Sequence, residues 1–119
     1  MTVSRTIAAA TLVACLAAGS AQAADYAPLA CARARTPTER TICRNYALGQ
    51  QEARVATLFE WTMSLVAMGQ RGDIGDAQRA FIKQREACGS RVACIRAAYD
   101  ARIAALETVM KTIASHGPF

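Results

Sequence analysis

The chain has 119 residues, of which 53% are hydrophobic and 19% are charged, and its formal net charge is +5 at pH 7. This length fits a single domain and excludes a multi-domain enzyme, while the composition excludes both a disordered chain and a protein with several membrane spans. These averages cover two unlike parts, because the first 23 residues differ in character from all that follow.

The N-terminal segment has the pattern of a secretory signal peptide. Arg5 gives a short positive region, Ile7–Ala18 is uncharged and mostly apolar, and Ala21–Ala23 reads Ala-Gln-Ala, a small-x-small cleavage site. We therefore predict a signal peptide at residues 1–23 and a mature domain at residues 24–119, located in the periplasm or secreted. Loss of Arg5 lowers the formal charge from +5 to +4. The apolar run is too short for a permanent membrane span, and no later stretch is long and uncharged enough for one.

A second interpretation of the leader centres on Cys15. Leu12–Cys15 resembles a bacterial lipobox, in which the cysteine is acylated and becomes the new N-terminus. Lipid chains would then hold the protein on a membrane. The apolar run before Cys15 is very short for a lipobox, and the Ala-Gln-Ala site would have no role, so free secretion is the favoured interpretation.

The chain has five cysteines, and both interpretations of the leader remove Cys15 from the thiols that can pair in the mature domain. The four that remain are Cys31, Cys43, Cys88 and Cys94. An even number of cysteines in a small exported domain predicts two disulfides. Neither the eleven-residue nor the five-residue gap matches a C-x-x-C redox or zinc motif, and the single histidine, His116, lies in the tail. We therefore predict no metal and no other cofactor.

The pairing of these cysteines is open at the level of sequence. Gly89 and Ser90 follow Cys88 and predict a tight turn that would return Cys94 to it. This favours local pairing, Cys31 with Cys43 and Cys88 with Cys94. The crossed alternative, in which Cys31 pairs with Cys94 and Cys43 with Cys88, would join two helical pairs and is not excluded.

Two helices are predicted in the first half of the mature chain. Thr36, Pro37 and Glu39 form a helix start, with a capping threonine, a proline at the first helical position and a capping-box glutamate. The first helix is expected from about Pro37 to Leu48, with Gly49 as its break or bend. The second is expected over about 50–68, with an inward face at three- and four-residue spacing. Its face comprises Val55, Leu58, Phe59, Thr62, Leu65 and Val66, with Trp61 at its rim, partly buried, rather than on a ligand surface.

Two further helices are predicted after a glycine-rich segment. Residues 69–75 contain three glycines and predict a loop. Asp76 is expected to cap a third helix at 77–88, and Ser90 to cap a fourth. The fourth helix has the clearest amphipathic stripe, formed by Ile95, Tyr99, Ile103, Leu106, Met110 and Ile113. No segment alternates with period two, so the predicted fold is all-α, a compact array of about four helices joined by two disulfides.

The residue types argue against catalysis and against nucleic-acid binding. A nucleophile needs a nearby base, and His116 is three residues from the C-terminus. Glu39 has a capping role, and the other glutamates are spaced as helix-surface residues. The basic residues are spread over all the helices without interleaved aromatics, so we expect no nucleic-acid partner. A less specific interpretation of these basic residues is attraction to anionic envelope polymers. Four arginines cluster around the first helix: Arg33, Arg35, Arg40 and Arg44.

The order of motifs along residues 31–106 resembles the LprI-like lysozyme inhibitor family, in its small exported form. The residues that carry this resemblance are the four cysteines, Glu39-Arg40-x-Ile42, Glu52, Val55, Phe59, Gln78-Arg79-Ala80-Phe81-Ile82, Arg85, Tyr99, Arg102-Ile103 and Leu106. The resemblance implies a helical, disulfide-bonded exported domain. The family usually has aspartate where Glu52 stands and tryptophan where Phe81 stands, so the resemblance speaks for the fold more than for an equivalent surface.

The resemblance further implies a non-enzymatic protein that blocks a muramidase such as lysozyme. Because lysozyme-type enzymes use paired carboxylates in a cleft, an arginine on a loop would fit their active site. The two candidates are Arg71, in the glycine-rich segment, and Arg91, after the Gly89–Ser90 turn. The alternative function is a structural or interaction module of the cell envelope that binds anionic glycans or a protein partner.

Overall fold

The computed structural model describes residues 28–117, so the predicted signal peptide with Cys15 lies outside the described residues. Within that range the chain forms a short 3-10 turn at Cys31–Arg33 and four α-helices. They are α1 at Pro37–Arg44, α2 at Tyr46–Leu65, α3 at Met68–Ala87 and α4 at Val92–Ser115. The all-α prediction of four helices with two disulfides is confirmed.

The start of α1 forms as predicted. The Thr36 side chain accepts a hydrogen bond from the Glu39 amide at 3.0 Å, and the Glu39 carboxylate accepts from the Thr36 amide at 3.1 Å. Both halves of the capping box are therefore present, with Pro37 at the first helical position.

The break between α1 and α2 is earlier than predicted. α1 ends at Arg44 rather than at Leu48, and Gly49 lies inside α2. The cause is Asn45, whose extended backbone ends α1 and whose side chain accepts a hydrogen bond from the Leu48 amide at 3.1 Å. Asparagine is a strong helix N-cap, so it separates the two helices without a glycine.

The prediction of a glycine-rich loop is wrong. Residues 69–75 belong to α3, and the turn before it is the extended pair Val66–Ala67. Asp76 is consequently not a cap and instead pairs with Arg79 one turn along the same helix. Each glycine costs about 1 kcal/mol in a helix. Burial of Ile74 and Phe81 on the inner face of α3 offsets that cost.

At the turn between α3 and α4, one prediction is confirmed and another is wrong. Gly89 has a φ of 59°, a conformation that suits glycine, so the predicted tight turn is present. Ser90 does not cap α4. The N-cap is Arg91, which makes no side-chain capping bond to α4.

Both disulfides follow the local pairing. Cys31 is bonded to Cys43 and Cys88 to Cys94, each pair with its Cα atoms 5.6 Å apart. The first ties the 3-10 turn to α1, and the second spans the turn between α3 and α4. The crossed alternative is excluded, and neither bridge joins distant helices.

The core lies between α4 and the other helices. α4 runs parallel to α2, since Gln51 contacts Asp100 and Arg54 contacts Glu107, and antiparallel to α3, since Arg85 contacts Tyr99 and Ile74 contacts Arg102. The predicted stripe on α4 is confirmed, with its first four members buried and the last two half-buried. The buried apolar residues include Ile42, Leu48, Val55, Phe59, Phe81, Ile95, Tyr99, Ile103 and Leu106.

One predicted member of the α2 inner face, Leu65, and the predicted rim residue Trp61 point outward instead. Trp61 is 60% exposed and Leu65 is 42% exposed, whereas the prediction placed Leu65 inward and Trp61 partly buried at the rim. Val55, Phe59, Thr62 and Val66 define the true inner face. Trp61 and Leu65 fall outside that stripe, because each step of one residue turns the helix by about 100°.

Candidate functional site

A polar cluster joins three helices inside the bundle. Glu52 on α2 accepts hydrogen bonds through Oε2 from Arg85 of α3 at 2.8 Å and from the Tyr99 hydroxyl of α4 at 2.6 Å. Its Oε1 accepts from the Leu29 amide at 3.1 Å. Glu52 is therefore not the exposed helix-surface residue that the sequence suggested. Its side chain is 15% exposed and that of Arg85 is 8% exposed.

The protonation of this cluster follows from burial and from its charges. Burial, followed by the charge of Glu52, raises the pKa of the Tyr99 hydroxyl, which remains a donor. Burial alone would lower the pKa of Arg85, but the interactions with Tyr99 and Glu52 outweigh it and the pKa is raised. The cluster thus contains a carboxylate whose two oxygens already accept hydrogen bonds, and a fixed cation. Such an arrangement holds helices in register and leaves no free base for a substrate.

Arginine and aromatic rings pack together beside this cluster. The Arg85 guanidinium carbon lies 5.7 Å from the Phe81 ring centre and 5.9 Å from that of Tyr99. These two rings are tilted at 56° with their centres 5.5 Å apart. The contacts combine cation–π attraction with aromatic packing.

A second buried polar contact connects α3 and α4. The Arg102 side chain donates to Gln78 Oε1 at 2.7 Å and to the Ile74 carbonyl at 3.1 Å. With Glu52, Arg85 and Tyr99, these residues account for most of the polar part of the motif that carries the family resemblance. The motif therefore describes how the helices are held together.

The structure separates the two arginines proposed for binding. Arg71 is exposed on the first turns of α3, where residues 68–73 are all exposed. Arg91 follows the other end of that helix, about 24 Å away along its axis. Its guanidinium donates to the carbonyls of Cys88 at 3.1 Å and Ala87 at 3.4 Å. Arg91 therefore caps the C-terminal end of α3, whereas Arg71 has no such role.

Arg71 projects from a thin part of the molecule. Gly69 and Gly72 lie on either side of it in sequence, and a Cβ atom at either glycine would meet nothing within 4 Å. The helix is therefore narrow around the guanidinium and open to approach. Arg71 is still the candidate that the sequence named, but it stands on a helix rather than on a loop.

A groove between α2 and α4 was not predicted from the sequence. Its volume is about 330 Å³, and it is lined by Gln51, Arg54, Asp100, Ile103, Ala104 and Glu107. Gln51 donates to Asp100 at 2.5 Å, and Arg54 forms an ion pair with Glu107. Gln51 Oε1 is buried and has no hydrogen-bond partner among the described residues. A groove of this kind depends on which helices are neighbours, and helical periodicity does not report that.

Residues 28–117 contain no group of three or more histidine, cysteine, aspartate or glutamate side chains placed to hold a metal ion. Nor does any helix in that range combine the length and apolar character needed to cross a membrane. Comparison with protein families, with curated proteins and with solved structures found no match.

Proposed function

We propose that this chain is an exported binding protein that blocks a muramidase, as the resemblance to LprI-like inhibitors implies, and that the Arg71 end of α3 enters the enzyme. The observation that carries this proposal is the exposure of Arg71 on a narrow helical turn between two glycines. The signal-peptide pattern supports export to the periplasm or out of the cell, where both disulfides would persist.

The chemistry of the contact is charge pairing. Muramidases of the lysozyme type flank the scissile bond with two carboxylates in a cleft. A guanidinium can bind a carboxylate through two parallel hydrogen bonds, and arginine stays charged throughout the physiological range. The glycines beside Arg71 allow the helix backbone to approach the cleft walls closely. Arg71 would therefore occupy the position where substrate must sit.

The net charge narrows the choice of enzyme. After signal-peptide removal the chain has a formal charge of +4, so a strongly basic lysozyme is repelled at long range. We expect the target to be a muramidase of low or negative charge. Clearing of cell-wall suspensions by muramidases of different isoelectric points tests this directly. Inhibition is expected for neutral or acidic enzymes, and no slowing of any enzyme at micromolar protein would contradict the function.

The arginines around α1 favour a second candidate function, binding to anionic envelope polymers. Arg33, Arg35, Arg40 and Arg44 are all exposed, and Arg40 and Arg44 are one turn apart on α1. The nearest acid, Glu39, is engaged in the capping box. Co-sedimentation with peptidoglycan and with anionic lipid at two salt concentrations tests this function, because binding through collective charge falls steeply with salt.

A further inference from the structure

We propose that two copies of this chain associate about a two-fold axis near Thr57, with the Trp61 indole of each copy seated in the α2–α4 groove of the other. The inference concerns α2 and the groove, and it does not depend on the proposed action of Arg71 on α3. It rests on four observations: an exposed uncharged helix face, an exposed tryptophan, a groove with an unpartnered acceptor, and the spacing between them.

The outer face of α2 is exposed and uncharged along its whole length. Its residues follow steps of four, three, four, four and three, a spacing that keeps them on one side of a helix. They are Tyr46, Gln50, Ala53, Thr57, Trp61 and Ser64, all of them exposed. Tyr46 is 82% and Trp61 is 60% exposed. Two large aromatic side chains on an uncharged helix face indicate a surface that another molecule covers.

The groove offers what an indole requires. Its lining includes the apolar side chains of Ile103 and Ala104 and the charged side chain of Arg54. Arginine stacks on aromatic rings while keeping its ion pair, here with Glu107. Gln51 Oε1 is buried without a hydrogen-bond partner among residues 28–117, and a turn of this side chain would present the acceptor to an indole N–H, a donor that needs an acceptor when buried. The occupant of the groove should therefore be apolar with one donor group.

The distance between Trp61 and the groove along α2 indicates that the indole comes from a second copy of the chain. Trp61 lies seven residues after Arg54, so both stand on the same flank of α2, two turns and about 10 Å apart. An indole cannot cover that distance to reach the groove of its own chain. When two α2 helices run antiparallel about an axis at Thr57, Trp61 of one copy falls beside Ala53 and Arg54 of the other. The small Ala53 leaves room for the ring, and the contact repeats itself, as a closed two-fold interface requires.

Two matched substitutions that each add one positive charge test this interface. Thr57 and Thr108 are both exposed helical threonines whose hydroxyls donate to the carbonyl four residues earlier, at 2.9 Å in each case. Thr57→Arg places two like charges at the axis, whereas Thr108→Arg adds the same charge on α4. Sedimentation should show the wild-type and Thr108→Arg proteins approaching twice the monomer mass with rising concentration. Thr57→Arg should remain monomeric, and Trp61→Ala should weaken association about 30-fold or more.

Fluorescence gives an independent reading, because Trp61 is the single tryptophan of the sequence. On association its emission should shift to shorter wavelength and its quenching by acrylamide should fall, in the wild-type and Thr108→Arg proteins but not in Thr57→Arg. Circular dichroism should show the same helix content in all variants. A wild-type protein that is monomeric at concentrations up to about 1 mM would overturn the inference. A dimer that survives both Thr57→Arg and Trp61→Ala would equally overturn it.

Discussion

Glu52 on α2 and Arg85 on α3 form an ion pair of 2.8 Å inside the bundle, with side chains 15% and 8% exposed. No local motif connects them, since 33 residues separate them along the chain. The pair joins two helices whose only direct link in sequence is the short Val66–Ala67 turn. It is therefore the contact on which the arrangement of the helices should depend most strongly.

Removing one partner of this ion pair should be costly. Glu52→Gln leaves the buried Arg85 guanidinium with Glu86 alone as a counter-charge, at the longer distance of 3.3 Å, and we expect the free energy of unfolding to fall by about 3 kcal/mol. The double variant Glu52→Leu/Arg85→Met removes both charges and should recover part of the loss. Denaturant unfolding measures both. A Glu52→Gln protein as stable as wild type would show that the pair contributes little.

The Tyr99 hydroxyl should resist ionisation while the protein is folded. Burial and the Glu52 charge raise its pKa above the ordinary value of 10.0. Because the unfolded chain releases this proton at lower pH than the folded one does, the stabilisation is complete below about pH 10 and is lost as pH rises further. Tyr99→Phe should leave the tyrosinate absorbance of the folded protein unchanged up to the alkaline transition. If Tyr99→Phe showed one titrating tyrosine fewer than the wild type at pH values where both proteins are folded, the Tyr99 hydroxyl would ionise in the folded state and this prediction would be contradicted.

Glu39 should contribute to the acid limb of the stability curve. Hydrogen bonds from the backbone amides of Arg35 and Thr36 lower the pKa of its carboxyl below the ordinary value of 4.5. The proton then binds the unfolded chain more tightly, so this stabilisation is present above about pH 4.5 and disappears as pH falls through the lower folded value. Between about pH 5 and pH 3, the free energy of unfolding should change less with pH in Glu39→Gln than in Glu60→Gln. Glu60→Gln is a matched change at an exposed site on α2. Equal acid profiles for the two variants would contradict this role.

The two disulfides should differ in their contribution because they close loops of different length. Cys31 and Cys43 are 12 residues apart, while Cys88 and Cys94 are 6 apart. Loop-closure entropy predicts losses of about 3 and about 2.4 kcal/mol when each pair is removed. Because Cys88 is buried, serine there would leave a buried hydroxyl, so alanine replaces both cysteines in each pair, as Cys31→Ala/Cys43→Ala and Cys88→Ala/Cys94→Ala. Thermal unfolding of the two double variants compares them, and a reversed order would contradict the entropic explanation.

The parts of the fold that local chemistry determines could be predicted from the sequence. The capping box at Thr36, the turn at Gly89 and the stripe on α4 each depend on residues within a few positions of one another. Where tertiary burial outweighs local preference, prediction failed. The glycines of residues 69–75 suggested a loop, but burial of Ile74 keeps the segment helical.

The candidate site was accessible to sequence reasoning only in part. Arg71 is exposed and stays a candidate, while the Arg91 guanidinium donates to the carbonyls at the end of α3. Glu52 gave no sign of burial, because a single glutamate on a helix has the same spacing whether it faces solvent or a partner on another helix. The groove beside Gln51 was also missed, although the series of uncharged residues at helical spacing along the outer face of α2 would have pointed to that helix.

The most direct test of the proposed function compares two arginine variants on one inhibited muramidase. Arg71→Ala removes the guanidinium that would enter the cleft, whereas Arg96→Ala removes an exposed arginine near the N-terminal end of α4, at the opposite end of the bundle. We expect the inhibition constant to rise about tenfold or more for Arg71→Ala and to be unchanged for Arg96→Ala, because removing one partner of a buried charge pair leaves the other charge buried and unpaired. Equal inhibition by both variants would contradict the placement of the enzyme-binding surface at Arg71.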